Sequence, residues 1–277
     1  MQFSKWHGLG NDFVIVNGMK EHFSDYRQQA LAVCDRNFGI GADGLVIILP
    51  SDIADFKMRI FNSDGSEADM CGNATRCVAR YLYETGLTAK TAMTLDTLAG
   101  IIKPELIFEN GKLATVKVDM GQPRLKRGET PMAGNPEEHA IHVPLEVNGK
   151  TYFVTCLSMG NPHCVIFVDD VATIDLPVIG PKIETHSLFP KKTNVEFIQV
   201  IDAHTLRMRV WERGAGITKA CGTGASAALV AAVLNGHTGR KATVKLDGGN
   251  LFIEWADNNH IYKSGPAVEV FRGEYLL

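Results

Sequence analysis

Residues 212–226 read ERGAGITKACGTGAS and lead directly into the apolar run AALVAAVL at 227–234. The apolar run has no polar stripe, which predicts a buried helix that begins near Cys221, after a glycine-rich loop. Unpaired backbone N–H groups and the helix dipole at such an N-terminus favour a thiolate and also attract a carboxylate or phosphate. The stretch therefore predicts a reactive cysteine beside an anion site. The structural alternative is a small buried residue in a tight turn.

A second copy of this pattern lies 150 positions earlier in the chain. Without any gap, Cys71-Gly72 aligns with Cys221-Gly222, MRIFN at 58–62 aligns with MRVWE at 208–212, and Gly10-Asn11 aligns with Gly160-Asn161. Three motifs in one register indicate two copies of one unit, in which strands surround a helix that carries a cysteine in its first turn. We expect an α+β fold of two pseudo-symmetric domains, each a mixed or antiparallel sheet around a central helix, with an active site in the cleft between them.

Turn signals place the boundary between the two predicted domains. Gly121-Gln122-Pro123 forms a Gly/Pro turn before a polar stretch, so the first domain is expected to span 1–120 and the second 121–264. The remaining segment, 265–277, contains a strand-like run and is expected to return to the sheet of the first domain.

One glycine motif invites a different interpretation. The stretch GIGADG at 39–44 matches G-x-G-x-x-G, but it follows a helical pattern and precedes a strand. A dinucleotide site has the opposite order of elements. We therefore predict a turn at this position and no nucleotide site.

Composition excludes several classes of protein. The chain of 277 residues has a formal net charge of -3 and no basic run, so it has no surface that would neutralise a row of phosphates, and nucleic acid is excluded as a partner. No apolar run approaches the roughly 20 residues that a bilayer span needs, so we expect no membrane association and a cytoplasmic location. The six cysteines form no C-x-x-C pair, which predicts reduced thiols and no metal site.

Two cysteines that converge from pseudo-symmetric helices suit one reaction in particular. Inverting a carbon that bears hydrogen needs a base on one face and an acid on the other. A free thiol has a pKa of about 8.5 and helix N-termini lower it, so a thiolate and a thiol can coexist near neutral pH. Backbone N–H groups around 72–73 and 222–223 would stabilise the charge that develops on an α-carboxylate. Two Cys-Gly pairs that merely allow tight turns remain the structural alternative.

Other polar residues at loops and strand ends are candidates for ligand binding. Arg213 can bind a carboxylate bidentately, Glu212 can pair with an ammonium group, and His163 can assist a thiol. Each is also compatible with a structural role as a turn former, a surface charge or a satisfied histidine. The asparagines in this set are Asn11, Asn62, Asn161 and Asn194.

Together these motifs resemble those of the diaminopimelate epimerase family over nearly the whole chain. The motifs are GLGNDF at 8–13, FNSDGS at 61–66, CGN at 71–73, MGNPH at 159–163, ERG at 212–214 and ACGTG at 220–224. The resemblance implies interconversion of LL- and meso-2,6-diaminopimelate in lysine and peptidoglycan-precursor biosynthesis. It also implies that no cofactor or metal takes part and that the protein is a homodimer.

The resemblance also assigns roles to residues. Cys71 and Cys221 become the acid/base pair, written as donor and acceptor, and His163 and Glu212 assist them. The implied substrate contacts are Asn11, Asn62, Gly72, Asn73, Asn161, Asn194, Glu212, Arg213, Gly222 and Thr223. One departure concerns the far end of the substrate, because Gly44 stands where some members have a glutamine.

Two rival functions remain open at this level. A related two-cysteine racemase or epimerase could act on another amino acid such as lanthionine, since motifs around the α-carbon are shared more widely than those at the far end. A protein that binds amino acids without chemistry is the alternative from another class. Such a binding protein would have no need of both thiols.

Overall fold

The computed structural model describes residues 1–21 and 23–276, and it divides them into two compact units. One unit comprises Met1–Asp119 together with the chain from Ser264 onward, and the other comprises Met120–Lys263. The elements of the first stretch are β1 (Gln2–Gly8), β2 (Asn11–Asn17), α1 (Tyr26–Cys34), β3 (Gly44–Leu49), β4 (Phe56–Asn62), β5 (Glu67–Ala68), α2 (Gly72–Glu84), β6 (Leu95–Thr97), β7 (Gly100–Ile102), β8 (Glu105–Glu109) and β9 (Lys112–Asp119). The remaining elements are β10 (Ala140–Val147), β11 (Lys150–Ser158), β12 (Pro162–Phe167), α3 (Leu176–Glu184), β13 (Asn194–Asp202), β14 (Thr205–Glu212), β15 (Gly216–Ile217), α4 (Gly222–Leu234), β16 (Lys241–Leu246), β17 (Gly249–Trp255), β18 (Ile261–Gly265) and β19 (Val268–Glu274).

The first unit is built on a mixed sheet with the order β19-β1-β2-β3-β4-β6-β7, and β5 pairs with β4. The pairs β2/β3 and β4/β6 are parallel, and the other pairs along this order are antiparallel. Helix α1 connects the first parallel pair and α2 the second. Strands β8 and β9 form a hairpin in which Asn110 and Gly111 both have positive φ, as a tight two-residue turn requires.

The second unit repeats this plan. Its strands run β10-β11-β12-β13-β14-β16-β17-β18, and β15 pairs with β14. The pairs β12/β13 and β14/β16 are parallel, and α3 and α4 make the corresponding connections. The pair β12/β13 therefore corresponds to β2/β3, and β14/β16 corresponds to β4/β6. This correspondence confirms the duplicated α+β architecture that the 150-residue register predicted.

The central helices α2 and α4 differ in how much of their surface is buried. Helix α4 is apolar all round, and residues 224–232 are buried, so it packs against strands on several sides. Helix α2 is more amphipathic, and its exposed residues lie toward its C-terminal end. For α4 the burial predicted for the apolar run at 227–234 is confirmed.

The stretch GIGADG at 39–44 is a connection between α1 and β3, as the sequence predicted. Gly41 has a φ of +78°, which suits a turn, and the segment does not open a helix. Its backbone instead brings the side chain of Asp43 to the loop between β1 and β2.

Candidate active site

Cys71 is the N-cap residue of α2, with extended backbone angles, and its side chain makes no capping hydrogen bond. Its Sγ donates to Asn11 Oδ1 at 3.7 Å. Asn73, in the first turn of α2, donates from Nδ2 to the same oxygen at 3.1 Å. Asn11 begins β2, so the loop between β1 and β2 and the start of α2 together form the first cysteine site, which we define as Cys71, Asn11, Asn73 and the groups that hold them.

The Asn11 amide is held in one orientation by a carboxylate. Its Nδ2 donates to Asp43 Oδ2 at 2.7 Å, and because an ionised carboxylate only accepts, the Asn11 oxygen must face Cys71 and Asn73. Asp43 in turn accepts from Arg36 at 2.7 Å. The turn at 39–44 therefore contributes to this site through Asp43.

Asp12 anchors the same loop to the body of the unit. Its carboxylate lies 2.7 Å from the buried Lys5 ammonium and 2.8 Å from Arg36, and it accepts from the backbone N–H of Asp43. Burial by itself would raise the pKa of Asp12, but hydrogen bonds from Arg36 and Lys5 outweigh it and hold the pKa well below its usual range. Asp12 is therefore a permanent anion near neutral pH.

Asn62 ends β4 and is exposed, and its Nδ2 donates to Ser66 Oγ at 2.9 Å. Gly72 is the first residue of α2, next to Cys71. The structure thus places Asn62 on the strand that leads toward the loop before α2.

The second cysteine site shows a different arrangement around its thiol. Cys221 is the N-cap of α4, only 4% exposed, and its Sγ accepts from the backbone N–H of Gly224 at 3.3 Å. Thr223 Oγ1 lies 3.5 Å from the same sulfur. Burial raises the pKa of Cys221 well above its usual value, and the nearby carboxylates Glu212 and Glu196 raise it further. The raised pKa favours the protonated thiol of Cys221 at neutral pH.

A chain of side chains connects a buried carboxylate to this thiol. Glu196 Oε1 lies 2.7 Å from His163 Nδ1, and His163 Nε2 lies 2.9 Å from Asn161 Oδ1. Asn161 Nδ2 then donates to Thr223 Oγ1 at 3.2 Å, and Thr223 contacts Cys221. We define these residues, with Glu212, as the second cysteine site.

The proton balance of the Glu196 and His163 pair follows from its surroundings. Both side chains are fully buried, and burial raises the pKa of Glu196 while the neighbouring His163 opposes the rise. Since Asn161 presents its oxygen to His163 Nε2, that nitrogen carries a hydrogen. One proton therefore lies between Glu196 Oε1 and His163 Nδ1, which are 2.7 Å apart.

The remaining predicted residues surround the loop between β14 and α4. Glu212 ends β14 and accepts from Thr218 Oγ1, and Arg213 donates from its backbone N–H to Asn194 Oδ1 at 2.9 Å. Asn194 is 3% exposed, and its Nδ2 donates to the Pro162 carbonyl at 2.8 Å. Both ends of the Asn194 amide are therefore engaged with backbone, while the Arg213 side chain is exposed and donates to the Lys191 carbonyl.

Sequence reasoning did not identify Glu196, Asp43 or Arg76, although each belongs to one of the two sites. Arg76 joins the first site because its Nη1 donates to Asn73 Oδ1 at 3.0 Å. A signal was present in two cases. Glu196 is a charged residue inside the apolar strand run VEFI at 195–198, and Arg76 lies in the buried stretch of α2. A charged residue at a buried position requires a partner or a function.

All six cysteines are free, as expected for reduced thiols. Within residues 1–21 and 23–276, no three His, Cys, Asp or Glu side chains are grouped so that they could hold a metal ion. In the same residues, no helix is both long enough and apolar enough to cross a membrane.

Comparison with solved structures defines the class to which this fold belongs. A crystal structure of a PhzF-family phenazine biosynthesis protein from Bacillus anthracis superposes with a TM-score of 0.72 at 19% identity, and the alignment covers 100% of this chain and 99% of that one. At this identity the likeness concerns the fold alone. It is the fold of two similar α+β units.

Comparison of sequences identifies the family. The diaminopimelate epimerase family model matches residues 3–126 and 155–270. A diaminopimelate epimerase from Pelotomaculum thermopropionicum is 58% identical over 277 residues, which is 99% of each chain. Another from Moorella thermoacetica is 58% identical over 279 residues, with both chains covered completely. The chain belongs to the diaminopimelate epimerase family.

Proposed function

We propose that this protein is an isomerase that interconverts LL- and meso-2,6-diaminopimelate, in lysine and peptidoglycan-precursor biosynthesis. The observation that supports this most strongly is the 58% identity to diaminopimelate epimerases over the full length of the chain. The two copies of a cysteine at a helix N-cap agree with a reaction that needs two acid/base groups.

In the proposed mechanism, one thiolate removes the α-proton and the other thiol returns a proton to the carbanion. Cys71 and Cys221 have these roles, and they exchange roles when the reaction runs in reverse. One C–H bond breaks as one S–H bond forms at the base, and the opposite exchange occurs at the acid. The mechanism therefore requires no cofactor, since the protons balance within the two thiols and the substrate.

The α-carboxylate is proposed to bind at the helix N-termini. Backbone N–H groups of Gly72 and Asn73, and of Gly222 and Thr223, would stabilise the negative charge that develops on the carboxylate as the proton leaves. The positive end of a helix dipole adds to this effect. Such stabilisation is needed because an α-proton of an amino acid is far less acidic than a thiol.

The remaining substrate contacts are proposed by family likeness. His163 and Glu212 assist the thiols, and the polar contacts come from Asn11, Asn62, Asn161, Asn194, Glu212 and Arg213. Asn11 is well suited to such a contact because Asp43 and Asn73 hold its amide in one orientation. Gly44 has no side chain with which to reach the substrate.

The proposal predicts isotope incorporation that depends on both cysteines. With LL-diaminopimelate in heavy water and no added cofactor, the protein should exchange the α-hydrogen and form the meso isomer. Cys71→Ala and Cys221→Ala should each lower the rate of epimerisation by at least about a thousandfold, because each removes an acid/base group. Mass spectrometry and chiral chromatography measure both quantities.

Cys156→Ala is the matched control, since Cys156 is a buried thiol in β11, outside both cysteine sites. This variant should keep the activity of the unmodified protein. Normal epimerisation by Cys221→Ala would disprove the two-thiol mechanism. Exchange with lanthionine in preference to diaminopimelate would assign a related epimerase instead, and binding without any exchange would assign a binding protein.

Two finer parts of the proposal come from the family resemblance. We propose a homodimer in the cytoplasm. Light scattering coupled to size-exclusion chromatography should give twice the mass of the chain, and a monomeric mass would reject the dimer.

A further inference from the structure

Glu184 is a buried acidic residue in an unfavourable place. It is the last residue of α3 and is only 5% exposed. A helix C-terminus carries partial negative charge, which disfavours a carboxylate there, and burial adds a desolvation cost. The ammonium group of Lys192, 3.8 Å away and mostly exposed, offsets little of this cost. The Glu184 side chain is instead satisfied by N–H groups of the segment around the end of β14.

Each carboxyl oxygen of Glu184 accepts one hydrogen bond from this segment. Trp211 donates from Nε1 to Oε2 at 2.7 Å, and Gly214 donates from its backbone N–H to Oε1 at 3.1 Å. Both donors are N–H groups, so both oxygens must act as acceptors, which a glutamine amide with its single oxygen could not provide. The two hydrogen bonds flank Glu212 and Arg213, which are proposed above to contact the substrate.

The hydrogen bond to Gly214 lies at the centre of a tight turn. The Ala215 N–H donates to the Glu212 carbonyl at 3.0 Å, and Gly214 has a φ of +77°. Positive φ at the third residue of a four-residue turn is typical of type II, in which the central peptide is flipped relative to type I. That peptide joins Arg213 to Gly214 here. Glu184 therefore holds the N–H of the central peptide in the flipped orientation.

Helix α3 is held against this turn by close packing. An added Cβ at Gly180 would lie only 2.6 Å from Trp211 Cγ, so the helix backbone directly contacts the indole ring. In addition, Asn194 Oδ1 accepts from the Arg213 backbone N–H at 2.9 Å. Two side chains from separate elements, Glu184 on α3 and Asn194 on β13, thus hold consecutive backbone N–H groups of the turn.

The turn presents two side chains of the second cysteine site and its surroundings. Burial raises the pKa of Cys221, and the carboxylate of Glu212 raises it further, so Glu212 lies near enough to act on the thiol. Glu212 also accepts from Thr218 Oγ1, and Arg213 follows it directly in the turn. Loss of the Gly214 hydrogen bond would release the peptide that joins Arg213 to Gly214.

We propose that Glu184 is a positioning residue for the reaction: its two hydrogen bonds hold the turn at 212–215 in the conformation that presents Glu212 and Arg213 to the substrate. The inference deepens the proposed epimerase function and rests on it. Glu184 acts through the turn and makes no contact with the substrate itself.

Glu184→Gln tests this inference with a side chain of the same shape. One amide oxygen then faces two N–H donors, and we expect the shorter bond, to Trp211, to persist while Gly214 loses its acceptor. The value of kcat/KM for diaminopimelate should fall by about tenfold or more, because the hydrogen bond that is lost involves a charged acceptor. In the isotope-labelled protein, NMR should show faster exchange of the Gly214 amide proton with water. Unchanged kinetics would overturn the proposal.

Removal of the competing donor should rescue the amide. In Trp211→Phe the indole N–H is absent, so the single oxygen introduced by Glu184→Gln can turn to Gly214. Adding Glu184→Gln to Trp211→Phe should therefore lower kcat/KM by no more than about threefold relative to Trp211→Phe alone, which is a coupling that a double-mutant cycle measures. Equal losses in both backgrounds would indicate a merely structural role for Glu184 and would overturn the proposal.

Lys192→Gln is the matched control. It removes the charge that lies 3.8 Å from Glu184 Oε1 and leaves both N–H donors in place. Since exposed ion pairs contribute little, kcat/KM should stay within about twofold of the unmodified value. A loss as large as that of Glu184→Gln would assign the effect to charge pairing at the end of α3, and the proposal would be wrong.

A second pair of variants keeps the test decisive if Glu184→Gln does not fold. In the Trp211→Phe background, Glu184→Met offers Gly214 no acceptor and should have a kcat/KM about tenfold below that of Glu184→Gln. Equal values for these two variants would reject the positioning role. The NMR measurement needs no turnover, so an unmodified protein without epimerase activity would refute the proposed function while Gly214 exchange still reported on the turn. Unchanged Gly214 exchange in an active Glu184→Gln protein would refute this inference alone.

Discussion

At the scale of single residues, the two thiols differ more than their shared position at a helix N-cap suggests. Cys221 accepts from a backbone N–H and is nearly inaccessible, whereas Cys71 donates to an amide oxygen and is partly exposed. The Cys-Gly spacing predicted both caps. It did not predict the difference, because that depends on residues distant in sequence, Glu196 for Cys221 and Asn11 for Cys71.

Asp12 gives a prediction for the pH dependence of stability. Its pKa is lowered in the folded protein, so its contribution to stability is present above about pH 3.8, the unfolded value, and is lost as the pH falls further. Asp12→Asn should therefore lower the free energy of unfolding by about 3 kcal/mol at pH 7, because it leaves the buried Lys5 charge unpaired. Urea denaturation should show that the difference in free energy of unfolding between Asp12→Asn and the unmodified protein is smaller at pH 3 than at pH 7. Asp52→Asn changes an exposed position and should be as stable as the unmodified protein at both pH values. An equal loss of stability for Asp12→Asn at pH 7 and pH 3 would contradict the lowered pKa of Asp12.

At the scale of elements, the start of α4 is shaped by close packing around its glycines. An added Cβ at Gly224 would lie 2.8 Å from Glu196 Oε1 and 3.1 Å from the Cys221 sulfur. The glycine-rich loop was predicted to serve the backbone conformation. At Gly224, however, the structure shows that the missing side chain is needed for space.

Gly224→Ala should therefore reduce activity sharply. The added methyl group must push the Glu196 carboxylate or the Cys221 sulfur from its position, and a displacement of about 1 Å costs on the order of a hundredfold in rate. Steady-state kinetics together with thermal unfolding separates activity from stability. Gly239→Ala is the control, since its Cβ would meet nothing within 4 Å. Full activity in Gly224→Ala would show that this contact is unimportant.

At the scale of the whole molecule, the last strand of the chain completes the sheet that the first strand begins. Strand β19 pairs with β1 along its length, and Ser4 Oγ donates to Glu269 Oε1 at 2.5 Å. Without β19, strand β1 would be left as an unpaired edge. The sheet of the first unit therefore depends on a strand that follows the second unit in sequence.

Deletion of residues 268–277 should destabilise the first unit much more than the second. Amide hydrogen exchange measured by mass spectrometry should show faster exchange in β1, β2 and α2, with protection retained in α4 and in β12 to β14. A full-length Val268→Thr variant, changed at an exposed position of β19, should exchange like the unmodified protein. Equal loss of protection in both units would contradict this prediction.

The sequence by itself determined the duplicated α+β plan, the two cysteine-bearing helix starts and most of the polar residues around them. These features follow from local periodicity and from a repeat that can be compared position by position. Only the tertiary structure decided which charges surround each thiol. Lys5, Asp12 and Asp43 reach the first site, and Glu196 reaches the second, from strands and turns distant in sequence. Electrostatic effects depend on distance in space, which the order of residues in a chain does not reveal.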